Sequence, residues 1–129
     1  MPAPIVIIDS DTQFGQDLQE LLERCGHEVK RTGKLAEGMG LVETNHPRLV
    51  LVGPLPEAEN CFVLCDQIRK LFPKTQVAII FAFGQGDTER TSAHKTSSGA
   101  ACAYLEQPVR GGAVLTALSD VLEFEEDDI

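Results

Sequence analysis

Long apolar runs, a secretion signal and a surplus of basic residues are all absent from this sequence of 129 residues. No stretch approaches the about 20 consecutive apolar residues that a membrane-spanning helix needs. The opening residues, Met1-Pro2-Ala3-Pro4, lack the charged and apolar regions of a signal peptide, so we expect a cytoplasmic protein. Twenty acidic residues against eleven basic ones give a net charge of −9, which disfavours nucleic acid and anionic membranes as partners.

Cysteines and histidines are few, and their spacing matches no disulfide framework or metal site. Cys61 and Cys65 would be neighbours on one helix, while Cys25 and Cys102 lie inside apolar patterns. This arrangement is typical of reduced, mostly buried thiols. The three histidines are scattered without a recognisable zinc spacing. We therefore expect no bound metal.

The length and composition are those of one ordinary domain. With 43% hydrophobic and 24% charged residues, the chain is long enough to bury a core. Six of its acidic residues lie among the last ten, where no core pattern continues. We predict one domain over residues 1–122 and an acidic tail over residues 123–129, which we interpret as the start of a linker.

Five short segments rich in apolar and β-branched residues predict strands. They lie at residues 5–8, about 27–32, 49–52, 77–81 and 101–105. Helical periodicity fills most of the intervals; in the first interval Phe14, Leu18 and Cys25 fall on one face of a helix. The interval 84–99 has only Ala93 as an apolar side chain, so a helix there would have little to bury.

Strand and helix alternate along the chain, which is typical of an α/β fold with a parallel sheet covered by helices on both faces. In such sheets the functional crevice lies beyond the carboxyl ends of the strands. The residues at those ends are therefore the candidate site. They are Asp9, Ser10, Asp11, Gly53, Phe81 and Gln107.

These strand ends, and the framework that carries them from Ile5 to about Val121, resemble the receiver domain of bacterial two-component response regulators. Receivers carry an acidic pair after the first strand and a phosphoacceptor aspartate after the third. They carry threonine or serine after the fourth strand and Lys-Pro after the fifth. The resemblance implies a (βα)5 flavodoxin-like fold with strand order 2-1-3-4-5.

The positions that carry the chemistry of receivers hold other residues in this sequence. Asp9 keeps one carboxylate of the acidic pair, and Ser10 stands at the second place. Gly53 occupies the acceptor position, Phe81 the hydroxyl position and Gln107 the lysine position. None of these three offers a nucleophile, a hydroxyl or a cation to a phosphoryl group. We predict a pseudo-receiver that cannot be phosphorylated, is not an enzyme and needs no cofactor.

The resemblance also implies a surface for partners. Receivers signal mainly through their fourth helix, fifth strand and fifth helix, where an aromatic residue changes rotamer with the hydroxyl residue on the fourth strand. Tyr104 matches that aromatic residue. Because Phe81 is larger than threonine, we expect it to hold Tyr104 in one outward rotamer, with its hydroxyl reaching solvent or a partner. The implied role is docking of a protein partner or output domain, or formation of a homodimer.

An enzyme is the alternative. The run Asp9-Ser10-Asp11-Thr12 also looks like the opening motif of haloacid-dehalogenase-type phosphatases, in which the first aspartate attacks and the second is an acid or base. That family needs a further acidic group and a hydroxyl after later strands, and Phe81-Ala82-Phe83 supplies neither. A Mg²⁺-dependent phosphatase-like enzyme therefore ranks second.

Overall fold

Five parallel strands form the centre of the molecule. The structure, a computed structural model, describes residues 4–10, 12–53, 55, 58–81, 89–97 and 100–106. The strands are β1 (Ile5–Ile8), β2 (Val29–Thr32), β3 (Leu49–Val52), β4 (Gln76–Phe81) and β5 (Ala103–Glu106). They pair in the order β2-β1-β3-β4-β5, and every pair is parallel. The predicted sheet and its strand order are confirmed.

Helices connect the strands, as the alternating pattern predicts. Those in the described residues are α1 (Thr12–Arg24), α2 (Leu35–Asn45), α3 (Ala58–Leu71) and α4 (Glu89–Lys95). The predicted last helix, the tail over residues 123–129 and the boundary between them lie outside the described residues. None of the helices described is long and apolar enough to cross a membrane.

The sheet is buried because helices cover both of its faces. Val6 and Ile8 of β1 pack in one core cluster with residues of α2 and α3. Ile5 and Ile7 point the other way and pack with Leu18 of α1. Successive side chains of a strand face opposite sides, so β1 and β3 must be apolar throughout to fill both clusters.

The segment with little apolar content is described over residues 89–97, where it forms a helix. Within the interval 84–99, α4 spans seven residues. Its buried side chains are the polar Thr91 and His94 rather than apolar ones. Polar groups at buried positions need hydrogen-bond partners, so the packing of α4 depends on specific polar contacts.

Two glycines of α2 provide a matched test of how this helix packs on β1. A Cβ atom on Gly38 would lie 2.5 Å from Cδ1 and 2.7 Å from Cγ1 of the buried Ile8, whereas one on Gly40 would meet nothing within 4 Å. Alanine favours a helix over glycine by about 1 kcal/mol, so Gly40→Ala should raise the free energy of unfolding by about that amount. Gly38→Ala should lower it by about 1–2 kcal/mol, because overpacking outweighs the helical gain. Urea denaturation measures both; an equal effect at the two positions would contradict this packing.

Candidate functional site

The carboxyl edge of the sheet brings three of the predicted site residues together. Asp9 directly follows β1, Gly53 directly follows β3, and Phe81 is the last residue of β4. The N–H of Asp9 donates to the carbonyl of Thr32 at 3.0 Å, and the N–H of Gly53 donates to the carbonyl of Ile8 at 2.8 Å. These hydrogen bonds hold the strand ends in register.

Of the other three predicted strand-end residues, the structure describes one. Ser10 is exposed, so it does not share the buried position of Asp9. Asp11 and Gln107 lie outside the described residues, and their predicted places at the site stay predictions.

Asp9 fills the space beside residue 53. Its side chain is 1% exposed. A Cβ atom on Gly53 would lie 2.6 Å from Cγ and 2.8 Å from Oδ2 of Asp9, closer than real Cβ atoms come to any heavy atom. The backbone of Gly53 does not have the positive φ that would itself require glycine. Space beside Asp9, and not backbone conformation, therefore accounts for glycine at position 53.

Two further glycines pack close to the same residue. A Cβ atom on Gly15 of α1 would lie 3.3 Å from Oδ2 of Asp9, and one on Gly33 would lie 3.2 Å from its carbonyl oxygen. The thiol of Cys61 donates to the carbonyl of Gly53 at 3.5 Å. Burial raises the pKa of Cys61 to about 11, and the charge of Asp9 adds a smaller rise. A neutral thiol thus covers the position next to the carboxylate.

Phe81 belongs to the core and not to an open pocket. It is 2% exposed. Its ring lies 5.8 Å from that of Phe62 on α3 and 6.4 Å from that of Tyr104, with only 11° between the planes of Phe81 and Tyr104. The end of β4 is therefore occupied by stacked aromatic rings.

The hydroxyl of Tyr104 has hydrogen-bond partners inside the molecule, which the expectation of an outward rotamer did not include. The ring is half-buried against the core cluster, and its hydroxyl is hydrogen-bonded to Nδ1 of His94. The N–H of Ala101 donates to the same hydroxyl at 3.0 Å. Burial raises the pKa of Tyr104, which keeps the hydroxyl protonated. The sequence pattern does not reveal that α4 supplies a partner for this group.

A hydrogen-bonded chain continues from Tyr104 into α3. Nε2 of His94 lies 2.7 Å from Oδ1 of Asp66, and the imidazole is almost fully buried. In the tautomer that carries its proton on Nε2, His94 donates to the carboxylate and accepts from the tyrosine hydroxyl. We name Asp66, His94 and Tyr104 the polar triad. It joins α3, α4 and β5 through side chains alone.

The polar triad also borders a group of possible metal ligands that spacing in the sequence does not suggest. The ligand atoms of Cys65, Asp66 and His94 lie within 4.8 Å of one another. Burial raises the pKa of Cys65 to about 12, so its thiol is neutral, and both nitrogens of His94 are already hydrogen-bonded. These features favour a hydrogen-bonded network over coordination.

Removing the tyrosine hydroxyl tests the polar triad. Tyr104→Phe keeps the stacked ring but leaves Nδ1 of His94 and the N–H of Ala101 without this partner. We expect the free energy of unfolding to fall by about 1–2 kcal/mol. In a double-mutant cycle with His94→Ala, the two effects should be non-additive by about 0.5 kcal/mol or more. Additive effects in urea denaturation would rule out the hydrogen bond.

Thiol reactivity tests the burial of the cysteines. All four are free, and Cys25 is exposed because α1 ends at Arg24, just before it. At about pH 8, the ratio of thiolate to thiol at Cys61 and Cys65 should be roughly one to a thousand or lower, because their pKa values are raised. We expect one fast reaction with an aromatic disulfide reagent, which Cys25→Ser removes, and slow phases that accelerate as the pH rises. Fast labelling of Cys61, located by peptide mass, would contradict the site geometry.

Comparison with known proteins shows which of them this chain resembles. No family model matches the chain. A curated relative, the DNA-binding transcriptional regulator NtrC of Bradyrhizobium sp. (strain RP501 Parasponia), is 34% identical over 83 residues. The match covers 64% of this chain and 17% of that protein, so the chain spans less than a fifth of its curated relative.

Solved structures match over nearly the whole chain. A CheY-like receiver domain protein from Methanospirillum hungatei has a TM-score of 0.83 at 24% identity and covers 100% of both chains. A receiver domain protein from Clostridium thermocellum has a TM-score of 0.80 at 23% identity, covering 98% of this chain and 99% of that one. NtrX from Brucella abortus has a TM-score of 0.81 at 20% identity, covering 99% of this chain and 28% of its own. The chain has the CheY-like fold of response regulator receiver domains.

Proposed function

We propose that this chain is an atypical receiver domain that acts in two-component signal transduction without being phosphorylated, as a protein docking or dimerisation module. The observation that carries the proposal is the contact between Gly53 and Asp9. Phosphoryl transfer to a receiver needs a carboxylate nucleophile at the position of Gly53. That position has no side chain, and the space for one is filled by the carboxylate of Asp9.

Asp9 is a poor substitute for the missing acceptor. Its side chain is 1% exposed, and the backbones of Gly15 and Gly53 lie against it. An in-line attack needs room for the phosphoryl group and its leaving group beside the nucleophile. The same burial argues against the phosphatase-like alternative, in which Asp9 would attack the substrate.

The polar triad supports a surface with a single side-chain conformation. We name Lys95 and Tyr104, with the buried His94 that contacts the tyrosine hydroxyl, the α4–β5 face. The stacked ring of Phe81 supports Tyr104 from within, and Nζ of Lys95 lies 5.3 Å from the centre of the tyrosine ring on this face. Such a cation–π contact and the hydrogen bond to His94 both favour the same tyrosine rotamer. A partner would therefore meet a preformed surface.

The curated relative suggests how such a module is used. The NtrC relative is described as a DNA-binding transcriptional regulator, and this chain matches only 17% of it. A match to 17% of the relative is consistent with a receiver-like domain that is joined to an output domain or docked on a protein partner. The net charge of −9 argues against DNA binding by this chain itself.

Phosphorylation is tested directly by incubating the chain with acetyl phosphate and Mg²⁺, and separately with beryllofluoride and Mg²⁺. We expect no phospho-adduct by intact mass and no saturable amide shifts around Asp9, because position 53 offers no nucleophile. The sedimentation coefficient, and with it the oligomeric state, should be the same with and without either reagent.

Two variants sharpen this experiment. Gly53→Asp should also fail to form an adduct and should unfold more readily than Gly53→Ala, because it adds a second carboxylate beside the buried Asp9. A phosphorylatable receiver treated in parallel shows that the reagents work. One phosphoryl group per wild-type chain, or a change of oligomeric state on adding beryllofluoride, would refute the proposal.

A further inference from the structure

A cavity of about 440 Å³ lies at the amino edge of the sheet, opposite the edge that holds Asp9. It is formed by the connections that lead into β3 and β4. The first contributes His46, Pro47 and Arg48, and the second contributes Phe72, Lys74 and Thr75. By the rise per residue of a strand, Arg48 and Gly53 are separated by about 16 Å. We propose that this cavity binds a small anionic molecule with a flat apolar body.

The first step is the charge of the lining. Arg48 and Lys74 are cationic and His46 is titratable, and none of the described lining residues is acidic. A concave surface with charge of one sign raises the local concentration of ions of the opposite sign. The lining of the cavity is therefore positively charged, although the chain as a whole carries a net charge of −9.

The second step is the state of Arg48. Its side chain is 4% exposed. Within the described residues, Nη2 is hydrogen-bonded to Nδ1 of His27, and Nε has no hydrogen-bond partner. Burying a cation is costly unless an anion compensates it. Arg48 lines the cavity, so an anion bound there would offset the charge of this buried cation.

The third step is the shape of the site, which is already formed. The hydroxyl of Thr75 donates to the carbonyl of Pro47 at 2.8 Å, and the N–H of Gln76 donates to the carbonyl of Arg48 at 3.0 Å. These bonds tie the two connections together. His46 is in the left-handed conformation, with φ of 46°, and its ring meets that of Phe72 edge-on at 6.5 Å.

The lining therefore selects two properties in one ligand. The basic side chains suit a phosphate or carboxylate head. The half-buried ring of Phe72, with Pro47 and Pro73, suits a planar apolar body. A volume of about 440 Å³ falls in the range of small-molecule sites rather than of single ions. Such a site would give the domain a chemical input at the edge remote from Gly53.

Phenyl phosphate combines both properties and serves as the probe, with titration followed by amide chemical shifts near neutral pH. We expect saturable shifts at His46, Lys74 and Thr75 with a dissociation constant of about 1 mM or below. Inorganic phosphate should bind about tenfold more weakly because it lacks the apolar body. Benzyl alcohol, a neutral analogue, should give no saturable shifts.

Charge reversal at two lysines distinguishes binding in this cavity from general electrostatic attraction to the surface. Lys74→Glu should weaken phenyl phosphate binding about tenfold, whereas Lys70→Glu, an exposed change of equal charge outside the cavity, should change it less than about twofold. Both positions are exposed, so the variants should fold. Absence of saturable shifts in the wild type, equal weakening by the two variants, or equal binding of benzyl alcohol would overturn the proposal.

Discussion

The carboxylate of Asp9 lies where a side chain of residue 53 would lie, and the carboxyl edge of the sheet is arranged around this single overlap. β1 and β3 are neighbours in register, so the residues that follow them meet at a fixed distance. Only one of the two positions can carry a side chain that points into this space. With Asp9 there, the neighbouring positions on α1, after β2 and after β3 are glycines, and the thiol that contacts the carbonyl of Gly53 is neutral.

The two ends of the sheet differ in burial and charge. At the carboxyl edge, the described residues Asp9 and Phe81 are buried. At the amino edge, the connections before β3 and β4 leave an open cavity with cationic walls. Between them, the polar triad fixes α4 to α3 and β5.

Patterns of short range predict most of the sheet. β1 and β3 are continuous apolar runs buried on both faces, and their bounds agree with the pattern. β2 begins at Val29, two residues later than the pattern indicates. The strand order came from the resemblance to receivers, since periodicity alone does not rank neighbours.

Contacts between distant residues escape such patterns. His94 lies in a polar segment, and its partners are 28 and 10 residues away along the chain, so no periodicity relates them. The cavity at the amino edge is likewise made by two connections without a motif. The absence of a carboxylate at position 53 is visible in the sequence, but the reason that none fits there is not, because it depends on where the side chain of Asp9 points.

The overlap between Asp9 and position 53 also bears on which single substitutions this chain can tolerate. An aspartate placed at position 53 by itself would put two carboxylates in one buried space. The cost of such a change falls on folding, whatever the domain does in signalling. Positions 9 and 53 are therefore coupled, and a side chain at position 53 requires a compensating change at position 9.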